Sequence, residues 1–197
     1  IMKYVALGLG NPEEEYQGTR HNVGQYMLDA VVASIGEEDF EIDKKLNIQK
    51  SSTKIGKHTL LFVKSLLNMN ANGKILPALI KTPKDRTRLV VLYDDMDLPL
   101  GRIKLSYGRS SGGHRGLESV IKALKSKDFL RVRIGISPET SGGKLKKPQG
   151  ERQVVDFVLG EFKSTERDVL KKERAKVKEI IETFVKEGHE QAMNKFN

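Results

Sequence analysis

His21 and Asp94 are the residues of this chain best suited to proton-transfer chemistry. His21 lies in Thr19-Arg20-His21-Asn22, just ahead of an expected helix. An imidazole there is either a cap and satisfied structural group or a general base, because it titrates near neutral pH. Asp94 ends the apolar run 89–93, where a carboxylate is costly to bury without a partner. As a pair they would form half of a hydrolase, the carboxylate fixing the imidazole tautomer and stabilising the imidazolium. The other half is a nucleophile. The chain has no cysteine and no Gly-x-Ser-x-Gly elbow, so the expected activated species is water.

Other clusters compete for function. Gly8-Leu9-Gly10-Asn11-Pro12 begins like a dinucleotide loop, but Glu13 replaces the third glycine and Glu14 and Glu15 follow. Three carboxylates are the wrong charge for a pyrophosphate. The glycines then serve a tight exit from a strand that presents Asn11. The histidines, His21, His58, His114 and His189, lack the two-histidine helix spacing, and Asp94, Asp95 and Asp97 lack the calcium-loop pattern. No metal and no cofactor are expected. The stretch 68–72 is rich in asparagine; such amides can donate to an oxyanion or a peptide carbonyl, or simply cap a helix. Residues 110–116, Ser-Ser-Gly-Gly-His-Arg-Gly, suit a phosphate nest beside a helix start or a flexible connection.

These groups need elements to position them. The runs 4–9 and 89–93 read as strands buried on both faces. Further strands are expected at 48–55 and 58–63 around a Gly56-Lys57 turn, at 103–107, at 132–136, and over the short stretch 154–159. Helical spacing predicts helices at 23–35, ending before Gly36, at 71–81, at 116–125 and at 164–186, the last with Leu170, Val177, Ile181 and Phe184 on one stripe. The stretch 37–50 is polar and ambiguous, and 137–150, with its glycines, prolines and lysines, reads as a surface loop. Alternating strands and helices imply an α/β fold: a three-layer sandwich with a mixed, mostly parallel central sheet flanked by helices, forming one domain over 1–197. Clusters at 10–22, 94–97 and 108–116 each follow a strand, so they are expected to converge at the carboxyl rim of the sheet.

The chain of 197 residues carries 35 Lys and Arg against 26 Asp and Glu, a net charge of +9. The excess is local. Residues 1–100 are neutral, 134–197 carry +2, and 101–133 carry +7 from nine basic and two acidic side chains. Such a window suits a polyanion or a solvated face. No run approaches the ~20 apolar residues of a membrane helix. The N-terminus enters a strand directly, so no secretory leader is expected.

Taken in order, these motifs resemble the bacterial-type peptidyl-tRNA hydrolase family. The resemblance rests on Gly8-Leu9-Gly10-Asn11-Pro12, Tyr16, Thr19-Arg20-His21-Asn22 and Gly24; on Lys64 and Met69-Asn70-Ala71-Asn72-Gly73; on Asp94-Asp95-Met96-Asp97-Leu98-Pro99 with Gly101; on Gly112-Gly113-His114-Arg115-Gly116-Leu117; and on Arg131-Val132-Arg133-Ile134-Gly135-Ile136. It implies hydrolysis of the ester joining a peptide to the 3′ ribose of tRNA, by a monomer, with no metal and no covalent intermediate. It implies His21 as base and Asp94 as its orienting carboxylate. Asn11 and Asn70 would position the peptide and the attacked carbonyl or water, Tyr16 would contact the tRNA 3′ end, and His114 would line the crevice. Lys104 and Arg133 would grip tRNA phosphates. Three positions depart from the family: Ser65 and Asn68 replace a proline and an aromatic residue, and Arg115 replaces a site asparagine. Arg115 would either donate to the substrate in its place or add to tRNA affinity. Ser106 stands at a second basic position. The alternatives are a non-catalytic RNA-binding relative on the same fold and a hydrolase of another small ester or amide. Cytosol and mitochondrial matrix both fit.

Overall fold

A computed structural model describes residues 1–36 and 40–197. Its strands are β1 (Lys3–Gly8), β2 (Glu41–Asp43), β3 (Ile48–Ile55), β4 (His58–Ser65), β5 (Leu89–Pro99), β6 (Ile103–Tyr107) and β7 (Leu130–Ser137). They form one mixed sheet in the order β2-β3-β4-β1-β5-β7-β6. The centre, β4-β1-β5-β7, is parallel. β2 and β3 extend one side antiparallel, and β6 closes the other.

The continuous apolar runs predicted a sheet covered on both faces, and alternation within β5 shows it. Val90 and Leu92 join the core under α1 (Val23–Ser34) and α6 (Ser164–Glu187). Leu89, Val91 and Tyr93 join the core under α2 (Leu76–Leu79) and α4 (Arg115–Leu124). This is the expected three-layer α/β sandwich. The four residues expected along one stripe of α6 are all buried.

The local readings differ in four places. The stretch 154–159 is not a strand but the end of a helix, α5 (Glu151–Leu159). Its valines suggested a strand, yet Val154 and Val158, like Val155 and Leu159, stand four apart, which is helical spacing. The acidic run 94–97 does not follow the central strand; it lies inside β5, because β7 continues to pair with that strand as far as Ser137. The helix expected at 71–81 is a 3-10 segment, Met69–Ile75, leading into the four residues of α2. Two short helices went unpredicted: α3 (Pro83–Arg86), opened by a Thr82–Asp85 capping box, and α7 (His189–Phe196). Of the stretch 37–50, residues 37–39 lie outside the described residues; the rest contains β2 and the start of β3.

One close approach sets up the site. A Cβ on Gly24 would stand 2.2 Å from the Leu92 carbonyl oxygen, so only glycine lets the first turn of α1 rest on β5. The 3-10 turn Arg20–Asn22 immediately precedes α1. Seating that turn over β5 carries His21 to Asp94.

Candidate active site

Two of the three polar clusters reach the carboxyl rim as expected; the third takes another route. β6 runs antiparallel to β7 and ends with Tyr107 opposite Leu130, the first residue of β7. It therefore exits at the far rim, and residues 108–114 must travel back. Arg131, fully buried, holds that return path: its Nη1 donates to the Ser110 carbonyl at 2.9 Å and its Nη2 to the Arg109 carbonyl. The segment ends at His114, the N-cap of α4.

His21, Asp94 and His114 meet. His21 Nδ1 is 3.0 Å from both carboxylate oxygens of Asp94, and His114 Nε2 is 2.8 Å from Oδ1. The protons can be assigned from neighbouring bonds. The Leu117 backbone N–H donates to His114 Nδ1 at 3.1 Å, so Nδ1 carries the lone pair and Nε2–H donates to Asp94. The carboxylate, acceptor-only, then receives Nδ1–H of His21. His21 Nε2, on the far side of its ring, keeps its lone pair. His21 lines the crevice and its side chain is 15% exposed, whereas that of Asp94 is 2% exposed.

Electrostatics agree with this arrangement. Burial alone would raise the Asp94 pKa, but the two imidazoles, through attraction and hydrogen bonds, hold it well below the usual carboxylate range. Burial alone would lower the His21 pKa; the charge and hydrogen bond of Asp94 outweigh it, against a smaller opposing effect of Arg115, and the net shift is upward from 6.5. Burial and Asp95 push the Tyr93 hydroxyl up to about 12, and its ring packs edge-on against His114.

By residue type, His21, Asp94 and His114 are also a possible metal set, with ligand atoms within 4.8 Å of one another. The proton inventory does not fit. A metal on His114 Nε2 needs the proton moved to Nδ1, where the Leu117 N–H already points.

Amides shape the rest. Asn72, fully buried, receives Gly10 N–H at 2.9 Å and donates to the carbonyls of Gly10, Leu67 and Asn68 at 2.8 to 3.0 Å. Asn22 clasps the Asn11 backbone from the other side, accepting its N–H at 2.9 Å and donating to its carbonyl at 2.8 Å. The Asn11 side-chain oxygen accepts Met69 N–H at 2.7 Å. That fixes the amide orientation and leaves Asn11 Nδ2 as a donor without a protein partner among the described residues. Asn22 and Asn72 are positioning residues that sequence reasoning passed over; both stood in the quoted motifs, but nothing local distinguishes a clasping amide from one that meets substrate.

A crevice of about 1030 Å³ joins these groups. Of the expected site residues, Asn11, His21, Asn70, Asp94, Lys104, His114, Arg115 and Arg133 line it. Asn70 is exposed. Tyr16 lies outside the lining, in the 3-10 turn Glu14–Tyr16, where the neighbouring Glu15 raises the pKa of its hydroxyl. Arg115 Nη2 contacts Glu151 Oε1 at 2.5 Å, linking the first residues of α4 and α5 across exposed surface. Arg133 Nε is bonded to Asp95 at 2.7 Å. Val154, Val155, Val158 and Leu159 of α5 give the crevice an apolar wall. The +7 window divides: Lys104, Arg109, Arg115, Arg131 and Arg133 line the crevice. Lys122, Lys125 and Lys127 are exposed at the other end of α4, about 15 Å away at 1.5 Å per residue.

Comparison with known proteins agrees with this geometry. A family model described as peptidyl-tRNA hydrolase matches residues 5–197. The chain is 37% identical over 196 residues to the peptidyl-tRNA hydrolase of Methylacidiphilum infernorum, covering 98% of this chain and 97% of that one. It is 38% identical over 197 residues to that of Thermotoga petrophila, covering 98% and 96%. A crystal structure of peptidyl-tRNA hydrolase from Acinetobacter baumannii superposes with a TM-score of 0.85 at 27% identity, covering 98% of this chain and 94% of that chain.

Proposed function

The chain belongs to the peptidyl-tRNA hydrolase family, and from that premise we propose how it cleaves the ester between a peptide and the 3′ ribose of tRNA. Neutral His21, held by Asp94, takes a proton from water through Nε2. The resulting hydroxide attacks the ester carbonyl. Asn11 Nδ2 and the Asn70 amide donate to the developing oxyanion and to the peptide carbonyl. The ribose oxygen leaves and takes the proton from the imidazolium. Water is consumed, and a free peptide acid and a tRNA hydroxyl are formed. His114 does not touch the substrate in this scheme; it holds Asp94.

Binding of the peptide backbone by amides favours N-blocked over free aminoacyl esters, whose charged amine would meet donors instead of acceptors. Lys104 and Arg133 grip phosphates of the acceptor arm, Arg133 in exchange for part of its contact with Asp95. Tyr16 contacts the tRNA 3′ end outside the crevice. Arg115 adds to tRNA affinity once released from Glu151. The enzyme acts as a monomer, residues 1–197 work as one hydrolase domain, and bacterial-type relatives suggest the cytoplasm. No helix among the described residues is long and apolar enough to cross a membrane.

The observation that carries this reading is the proton assignment: two imidazoles share one buried carboxylate, and only His21 retains a lone pair toward the crevice. A non-catalytic RNA-binding role is not favoured, because the base and its carboxylate are both in place. The test is release of free tRNA from N-acetyl-aminoacyl-tRNA in excess chelator, with unblocked aminoacyl-tRNA as control. Turnover of the blocked substrate alone is expected. Loss of turnover in chelator, or equal turnover of both esters, would contradict the scheme.

A further inference from the structure

Arg20 directly precedes His21 and serves no step above, yet it is 9% exposed and densely engaged. Its Nη2 donates to both carboxylate oxygens of Glu166, at 3.2 and 3.0 Å, and its Nη1 to the Glu161 carbonyl at 3.0 Å. The guanidinium lies 4.8 Å from the ring centre of Phe157 and 5.3 Å from that of Phe162. A Cβ on Gly160 would come within 3.1 Å of Nη1, so the glycine leaves the guanidinium its place.

The backbone follows the same path. Arg20 N–H donates to the Gly160 carbonyl at 3.0 Å, and Phe162 N–H to the Gly18 carbonyl at 3.1 Å. Thr19 and Glu161 form an isolated antiparallel bridge. Glu166 is itself anchored, since it accepts Lys163 N–H at 2.7 Å in the capping box that opens the 24-residue α6. The three-residue turn under His21 is therefore tied to the junction of α5 and α6, and α5 is the element that gives the crevice its apolar wall.

A buried ion pair adds little net stability over apolar packing of similar volume. A guanidinium held at Nη2 by a carboxylate and at Nη1 by a backbone carbonyl, however, is fixed in direction. We propose that Arg20, through Glu166, is a positioning residue for hydrolysis: it sets His21 against the α5 wall so that an ester bound between them meets Nε2. The proposal rests on the reading of His21 as base. Asp94 fixes the ring tautomer from the sheet side; Arg20 fixes the backbone beneath the ring from the helix side.

The experiment measures kcat and KM for N-acetyl-aminoacyl-tRNA with the full chain. The variants are Arg20→Met, Arg20→Lys, Glu166→Gln and the double variant Arg20→Met/Glu166→Gln. His21→Ala is the reference, and Asp168→Asn, in an exposed pair with Lys171 on α6, controls for general loosening of that helix. Arg20→Met is expected to lower kcat about 10- to 100-fold, the scale of a misplacement of about 1 Å. KM should stay within about 2-fold, because phosphate binding lies elsewhere. Glu166→Gln should lower kcat less, Arg20→Lys should recover part of it, and the double variant should be no worse than Arg20→Met, since both remove one linkage. Asp168→Asn should match the wild type. If Arg20→Met does not fold, Glu166→Gln and Arg20→Lys make the same comparison. Unchanged kcat, a rise in KM alone, or losses that multiply in the double variant would overturn the proposal. Those results alongside an inactive His21→Ala would refute the role of Arg20 only; an active His21→Ala would refute the base assignment itself.

Discussion

Replacing Asp94 by asparagine should disable the base by reversing its tautomer, and the structure says how far and how to undo it. Asp94 Oδ1 receives N–H groups from both His21 and His114, at 3.0 and 2.8 Å. An asparagine places an acceptor at only one of the two carboxylate positions; His114 reaches Oδ1 alone, whereas His21 Nδ1 stands 3.0 Å from both. His114 cannot change tautomer without losing the Leu117 N–H at its Nδ1, so the new oxygen turns to His114. The new NH2 then faces His21 Nδ1, and His21 moves its proton to Nε2, where the lone pair was needed. Keeping the productive tautomer would oppose the new NH2 at the Oδ2 position to His21 Nδ1–H, a loss of about 1–3 kcal/mol. A wrong tautomer, together with the lost carboxylate charge, predicts a fall in kcat of about 10²–10⁴-fold. It should be no deeper than that of His21→Ala.

Adding His114→Asn to Asp94→Asn should then raise activity. Asparagine is among the best N-caps and keeps α4 closed, but it is too short to reach position 94. The amide at 94 is freed to turn its oxygen to His21 and should restore about 10-fold in kcat, the worth of one such hydrogen bond. The assay is single-turnover release of tRNA from N-acetyl-aminoacyl-tRNA. A double variant no faster than Asp94→Asn, or an Asp94→Asn enzyme near wild type, would refute the reasoning.

Three further outcomes follow from the same geometry. Asp94 raises the His21 pKa and Arg115 lowers it; because the base works when neutral, the acid limb of kcat/KM should lie above pH 6.5 in the wild type and move still higher in Arg115→Asn, and a downward move would contradict the sign. Arg133→Ala should raise KM and reduce the salt slope of tRNA binding by about 1; an unchanged slope would remove Arg133 from the interface. Asn72→Ala should cost about 3 kcal/mol in urea unfolding, since it removes a buried amide that serves four backbone groups; a loss under about 1 kcal/mol would mean that the Gly10–Asn11 loop holds itself.

The buried strands β1 and β5 and the long helix α6 are plain in the sequence because their patterns are local: continuous apolar runs, and a stripe at helical spacing. α5 is not, because Val154, Val155 and Val158 favour strands by residue type, and only the packing of Val158 into the core and of Phe157 against Arg20 settles the matter. The extension of β5 through Asp94–Asp97 was hidden for a similar reason. A run of carboxylates looks like a loop until its partners are known, and those partners, His21, His114, Arg133 and Lys147, come from distant parts of the chain. The charge window is misleading because it is contiguous: five of its cations line the crevice, and α4 carries three lysines to its far end. His21 and Asp94 were legible as a pair of types. Their division of protons was not, because it depends on one backbone N–H at Leu117.

The central claim is that neutral His21 activates the attacking water. Single-turnover hydrolysis of N-acetyl-aminoacyl-tRNA by His21→Ala, with tRNA affinity measured on the same preparation, tests it most directly. A rate loss of about 10²–10⁴-fold with tRNA binding retained is the predicted result; hydrolysis at the wild-type rate would contradict the account.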